Sequence, residues 1–356
     1  CYTCSWNFNV NLFKSNYLFV KKNFEKIMKK IVVLGSNSFA GSCYVDYLLN
    51  KNYQIYGFSR SAEPPKLLLK YKYNRNIKNF KFIRFNINND LNILKKFLQK
   101  NKVDFIIDFL GQGMVAESWI NPHHWYKTNI LSKIRMYDFL SKNRKFKKYI
   151  RISTPEAIGH VKGFISEDTK SNPSTPYAIS HLAQDLTLSA YFKFNKFPFV
   201  ISRFSNFYGP HQQPHRIIPK TLYCIFNKQK LSLHGGGKSI RSFIYIDDFC
   251  EGIYRSMTKG RPGEIYNFTN REYVSVYWLV KKICFLTKVN FEKLVKTSKD
   301  RPTKDHSYKM NPRKAEKKLN WKPKYSIEDG LKKTIKWYKD NKKQTSILRK
   351  AYVHKP

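Results

Sequence analysis

The stretch MKKIVVLGSNSFAG, Met28 to Gly41, decides the fold. Four apolar residues, Ile31 to Leu34, run straight into a glycine, and so short and wholly apolar a run reads as a strand buried in a parallel sheet. Gly35 permits a tight turn after that strand, and Gly41 lets the helix that follows pack close against it. A pyrophosphate would rest where the helix begins, at Ser38 and Phe39, on free N–H groups and the positive end of the helix dipole. The middle glycine of the usual dinucleotide fingerprint is Ser38 here, small but carrying a Cβ. Alone, such a motif is also compatible with a purely structural glycine turn. The strand–turn–helix setting is what favours a nucleotide.

Outward from this unit the same pattern repeats. Tyr53 to Phe58, Lys81 to Phe85, Phe105 to Phe109, Tyr149 to Ser153 and Phe199 to Phe204 read as further strands, with helical stretches between them. Regular alternation of β and α predicts an α/β fold, a Rossmann-type doubly wound parallel sheet with helices on both faces. Beyond about Asn206 the alternation loosens, and loops such as GPHQQPHRIIP and HGGGKS enter. We therefore expect a dinucleotide-binding domain over 28–205. Residues 206–341 are expected to form mainly a smaller α/β substrate-binding domain, partly interleaved with the first, and 342–356 a basic tail. Residues 1–27 have no small-residue cleavage site after an apolar core and read poorly as a signal peptide. On this reading translation starts at Met28, the upstream residues are an extension without function, and the protein is cytoplasmic.

Composition narrows the function classes. The 356 residues are 42% hydrophobic and 16% aromatic, enough for a sizeable core. No apolar run approaches a membrane span, so no membrane partner is expected. Lys and Arg number 67 against 24 Asp and Glu, a net charge of +43. The cations are spread from end to end without a basic tract or a basic-aromatic RNA-binding motif, so no specific nucleic acid is expected either. Six scattered cysteines suit a reducing compartment, and Cys1 and Cys4 form a lone CxxC to which no metal is assigned.

Two places beyond the glycine turn carry chemistry. The second strand ends in Phe58-Ser59-Arg60-Ser61 with no acid before Glu63. An acid there would bind the ribose 2′-hydroxyl of NAD, whereas Ser59 and Arg60 suit the 2′-phosphate of NADP. Arg60 is equally compatible with a plain surface cation. Further on, Thr154 closes one strand and Tyr177-Ala-Ile-Ser-His181 opens a helix, so Tyr177 and His181 share a helix face. Thr154 and Tyr177 are hydroxyls able to meet at the sheet's carboxyl edge, beside a nicotinamide ring.

With these residues in this order the chain resembles the extended short-chain dehydrogenase/reductase family, and within it the nucleotide-sugar 4,6-dehydratases, the dTDP-glucose branch most of all. The likeness runs from about Met28 to Asn341. It is carried by FLGQGMVAESWINPHHWYKTN ending at Asn129, by STPEAIG, by RFSNFYGPHQQPHRIIP, by LHGGGKSIRSFIYIDD and by the segment from Asp300 to Tyr338. The resemblance implies a tightly held NAD(P), a nucleotide-diphosphate sugar as substrate and a homodimer built on the helices after Pro122 and Pro176. It implies Tyr177 as the base for the C4 hydroxyl, Thr154 beside it and Glu156 as the base at C5. Asn206 would contact the sugar nucleotide, and Arg241 and Arg301 its phosphates. Three departures stand out. Pro155 replaces an Asp, as the GDP-mannose branch also lacks it; His181 replaces the Lys of Tyr-x-x-x-Lys; Asn86 replaces an Asp that meets adenine. If His181 does the lysine's work it does so best when protonated, which would confine activity to a narrow pH window. An NDP-sugar 4-epimerase, a UDP-glucuronate decarboxylase and a catalytically inactive nucleotide-binding protein remain the alternatives; Glu156 argues against the epimerase.

Overall fold

The computed structural model describes residues 28–299 and 307–356. Its centre is β1 (Lys30–Leu34), whose last four residues are fully buried. Ile31 and Val33 pack on one side with Val45, Leu48 and Leu49 of α1 (Phe39–Leu49). Val32 and Leu34 pack on the other with Leu94 and Leu98 of α2 (Leu91–Lys100). A strand covered on both faces needs an apolar side chain at every position, which explains the unbroken run.

Five further strands form where the sequence places them, within a residue or two. They are β2 (Gln54–Ser59), β3 (Phe80–Arg84), β4 (Phe105–Asp108), β5 (Lys148–Ser153) and β6 (Phe199–Phe204). A seventh, β7 (Glu264–Phe268), returns from the carboxyl-terminal part and pairs with β6. All neighbours are parallel, in the order β3-β2-β1-β4-β5-β6-β7. The chain reverses direction across the sheet between β1 and β4, and the crevice at their carboxyl ends is where such sheets bind ligands.

Three helices frame that crevice. A helix opens at Pro122–Trp125, widens into a π-helical stretch over Tyr126–Leu131 and continues as α3 (Ser132–Lys142). The next, α4 (Pro176–Asn195), starts where Thr175 caps it, its hydroxyl accepting from the Ala178 N–H at 3.1 Å, with Pro176 at the first helical position. This start sets Tyr177 in the first turn, at the crevice. The third, α5 (Ile246–Lys259), covers β6 and β7.

The carboxyl-terminal part adds a small sheet of Asn206–Tyr208, Ile240–Tyr245 and Tyr273–Ser275. Its Phe243, Ile244 and Tyr245 join the same apolar cluster as Ile31 and Val33, so the two parts share one core. Among the described residues no helix is long and apolar enough to cross a membrane.

Candidate active site

The turn after β1 is built as the nucleotide reading requires. Gly35 sits at φ +86°, and a Cβ on it would lie 3.0 Å from the Phe109 backbone. Ser38 caps α1, donating to the Gly35 carbonyl at 2.8 Å and accepting from Gly41 N–H at 3.0 Å. A Cβ on Gly41 would overlap the Gly35 carbonyl oxygen, so only glycine lets helix and turn meet this closely. The Phe39 ring is buried against Phe207, which leaves its backbone N–H as the part that faces an anion. The cradle therefore fits a pyrophosphate at the start of an eleven-residue helix.

At the end of β2, the buried Ser59 hydroxyl accepts from Asn37 N–H at 3.0 Å. Glu63, the nearest acid, is turned away: its carboxylate takes the Tyr71 hydroxyl and the Lys72 ammonium, each at 2.7 Å. Arg60 donates to the backbone carbonyls of Lys355 at 3.0 Å and Pro356 at 2.6 Å. The basic tail thus lies against the crevice, and Gln112 after β4 also donates to the Lys355 carbonyl at 2.6 Å. Nothing in the sequence pointed to this contact. Asn86 spends its side-chain oxygen on Asn88 N–H at 3.1 Å, leaving its amide nitrogen to donate.

The structure brings Thr154, Glu156, Tyr177 and His181 together. Thr154 follows β5, and its hydroxyl donates to Glu156 Oε2 at 2.6 Å. Thr154 also faces the Tyr177 hydroxyl, so it stands between phenol and carboxylate. Burial, and then the Glu156 carboxylate, push the Tyr177 phenol well above its ordinary value; Thr154, Arg216 and Arg151 pull it back. Tyr177 and His181 lie ring to ring, 4.4 Å between centroids.

The histidine corrects the sequence reading. Arg151 Nη2 lies 3.1 Å from His181 Nδ1. A guanidinium can only donate, so Nδ1 must accept, and the ring is neutral. Burial, then Arg151 and Lys133, hold His181 well below its ordinary pKa. An imidazolium doing the lysine's work is excluded by this geometry.

Arg151, Asp185, Lys133 and Asp108 escaped the sequence reading, and Asn129 entered it only as the end of a motif. Arg151, on β5, is held by Asp185 of α4 at 2.9 Å, and Ser153 donates to the other carboxylate oxygen at 2.7 Å. Lys133 of α3 is fully buried on Asp108, which also accepts the Tyr149 hydroxyl. Asn129, in the π-helical stretch, takes Gln112 N–H at 2.7 Å and donates to Ser180 Oγ at 3.0 Å, tying the β4 loop to α4. The four-residue spacing of Tyr177, His181 and Asp185 was the one available signal.

The expected substrate residues lie in the carboxyl-terminal part. Asn206 is exposed on its strand, and the Arg241 guanidinium sits 4.8 Å from the Tyr308 ring centroid. Arg301 lies outside the described residues.

A doubly wound sheet with a glycine turn, a Thr–Tyr pair and a second part over its carboxyl edge defines an extended short-chain dehydrogenase/reductase. Residues 32–334 match the family model described as GDP-mannose 4,6 dehydratase, and the chain belongs to that family. Human dTDP-D-glucose 4,6-dehydratase is 32% identical over 321 residues, covering 88% of this chain and 91% of that one. The structure of Bacillus anthracis dTDP-glucose 4,6-dehydratase in complex with NAD superposes with a TM-score of 0.80 at 28% identity, covering 88% of this chain and 98% of that one. The Thermotoga maritima UDP-glucose 4-epimerase with UDP-glucose gives 0.79 at 25%, covering 88% and 99%.

Proposed function

We propose that the protein is a nucleotide-sugar 4,6-dehydratase of the dTDP-glucose type, turning an NDP-hexose into its 4-keto-6-deoxy form with loss of one water. The observation that carries this reading is the Thr154 hydrogen bond joining Glu156 to the Tyr177 side of the site. A nicotinamide held there would supply the hydride acceptor for C4 and the hydride donor for C6. Tyr177, as phenolate, accepts the C4 hydroxyl proton, with Thr154 holding the same oxygen. The 4-keto group acidifies C5–H, and Glu156 removes that proton while the C6 hydroxyl departs. Pro155 has no proton to give that hydroxyl, so Glu156 or a water returns it. Sugar and cofactor exchange the electrons internally, and no outside oxidant is consumed.

Gly35, Ser38, Gly41 and the Phe39 N–H hold the pyrophosphate in this reading, with Asn86 at the adenine. His181 spends its one N–H on the Gln112 backbone, which holds the ring beside Tyr177. Ser59 and Arg60, with Glu63 engaged elsewhere, favour NADP over NAD. Asn206, Arg241 and Arg301 hold the nucleotide sugar, in a part formed mainly by 206–341. Two copies pair through the helices after Pro122 and Pro176, which expose Leu131, Ile134, Ile179 and Leu186.

Incubation with a panel of NDP-sugars tests the reaction. A product with the alkaline absorbance of a 4-keto sugar and the mass of substrate less water supports it; an isomer of unchanged mass supports the epimerase. Chromatography of the nucleotide released by denaturation tests the cofactor, and recovery of NAD alone overturns the NADP preference.

A further inference from the structure

The Tyr-x-x-x-Lys pattern ends here in a neutral histidine, so the cation beside Tyr177 has to come from elsewhere in the fold. Three buried cations lie near: Arg151 on β5, Arg203 on β6 and Lys133 on α3. Lys133 is committed to Asp108, with Tyr149 donating to the same carboxylate. Arg203 is committed to Asp185 at 3.5 Å and Asn267 at 3.4 Å. Arg151 spans carboxylate and imidazole: its Nε meets Asp185 and its Nη2 meets His181.

The helix spacing decides which charge Tyr177 feels. His181 is one turn along α4 from Tyr177, and Asp185 is two turns along, roughly 12 Å of helix rise. A guanidinium bridging 181 and 185 therefore has its positive face nearer the phenol than its own counter-ion is. Its charge is permanent over any working pH.

We propose, on the reading of Tyr177 as the base for the C4 hydroxyl, that Arg151 is the positioning residue that supplies the cationic field for the Tyr177 phenolate, with His181 as a neutral spacer between them. The lysine's charge is thereby supplied from the strand instead of the helix. Of the other groups facing the pair, Glu156 opposes the phenolate, and Arg216, ahead of Ile217–Phe226, pulls on it more strongly than Arg151 but from an exposed position, so Arg151 is the buried, fixed part of that field. Lys133 is the group that titrates close by, pushed down to about 8 by burial against the pull of Asp108. A change in rate near that pH belongs to Lys133, so the informative limb is the acidic one.

The holoprotein is examined in two ways. First, 15N NMR of labelled histidine, with His181→Gln assigning the signals, should show Nδ1 as an unprotonated acceptor from about pH 6 to about pH 9. A ring that protonates within that range overturns the proposal. Second, reduction of bound nicotinamide on adding dTDP-glucose is followed against pH in the Glu156→Gln background. Replacing Arg151 by Gln together with Asp185 by Asn, so that no carboxylate is left alone, should move the acidic limb up by about one pH unit or more. His181→Gln should lower the rate without moving that limb, and it serves alone if the double variant fails to fold. A limb that moves with His181→Gln, or stays put in the folded double variant, overturns the proposal. A purely structural Arg151 would slow the reaction equally at every pH. Absence of any reduction in the Glu156→Gln parent would instead count against the dehydratase reading.

Discussion

Glu156 accepts a hydrogen bond from the Thr154 hydroxyl at 2.6 Å, and Pro155 between them has neither side-chain proton nor N–H to offer. The carboxylate is thus the acid-base group that Thr154 holds at the site. Glu156→Gln should let C4 oxidation proceed while 4-keto-6-deoxy product falls by about 10²-fold or more, with reduced nicotinamide building up at 340 nm. Undiminished product would remove Glu156 from the mechanism. Lys133 carries a separate expectation. Its pKa of about 8 lies below the ordinary lysine value, so between the two the unfolded chain binds more protons than the folded one. Stability should then rise with pH from about 8 to about 10, and the double change Lys133→Met, Asp108→Asn should flatten that slope in urea denaturation. Thr154, Glu156 and Tyr177 were legible in the sequence because short motifs carry them. Arg151, Lys133 and Asp108 were not, because each has its partner on another element and nothing local marks the pairing. A lone charge inside a β-strand looks the same in sequence whether it is buried or solvated.

At the scale of elements, α1 and the glycine turn form one unit. A Cβ at Gly41 overlaps the Gly35 carbonyl, so Gly41→Ala must push α1 off the turn. The variant should lose about 1–3 kcal/mol in thermal or urea unfolding and should purify with less bound nucleotide, read as a lower 260/280 nm absorbance ratio. Retention of nucleotide at the parent level would contradict the cradle. Six strands of the sheet were legible as apolar runs ended by turn residues. The seventh, β7, was not: it is an edge strand whose Glu264 and Asn267 break the run, and the buried Asn267 is satisfied by Arg203, the Ile165 carbonyl and Glu167, all on other elements. The π-helical stretch at Tyr126–Leu131 also left no trace in the sequence, since its widening places Asn129 against Gln112 and Ser180, contacts made only in the folded chain.

Over the whole molecule, two surfaces follow from how the helices and tail are laid down. Leu186 is 60% exposed on α4 and Leu131 is 61% exposed beside it, an apolar face that a second copy would cover. Leu186→Asp with Leu131→Glu should turn a dimer into a monomer by light scattering; an unchanged mass would place the interface elsewhere. The tail is the second surface. His354 stacks on Trp125, and Lys355 and Pro356 take the Arg60 donors that a 2′-phosphate would use. Removing residues 351–356 should therefore tighten NADP binding by about 3- to 10-fold in calorimetry, with a smaller change for NAD, and equal changes for both would show that Arg60 does not read the phosphate. The central claim is that C4 gives up its hydrogen and C6 receives it while water is lost. The direct measurement uses dTDP-glucose deuterated at C4, with the product analysed by NMR. The account predicts a 4-keto-6-deoxy sugar with the deuterium in its C6 methyl group; deuterium still at C4 of a sugar that has kept its C6 hydroxyl would contradict it.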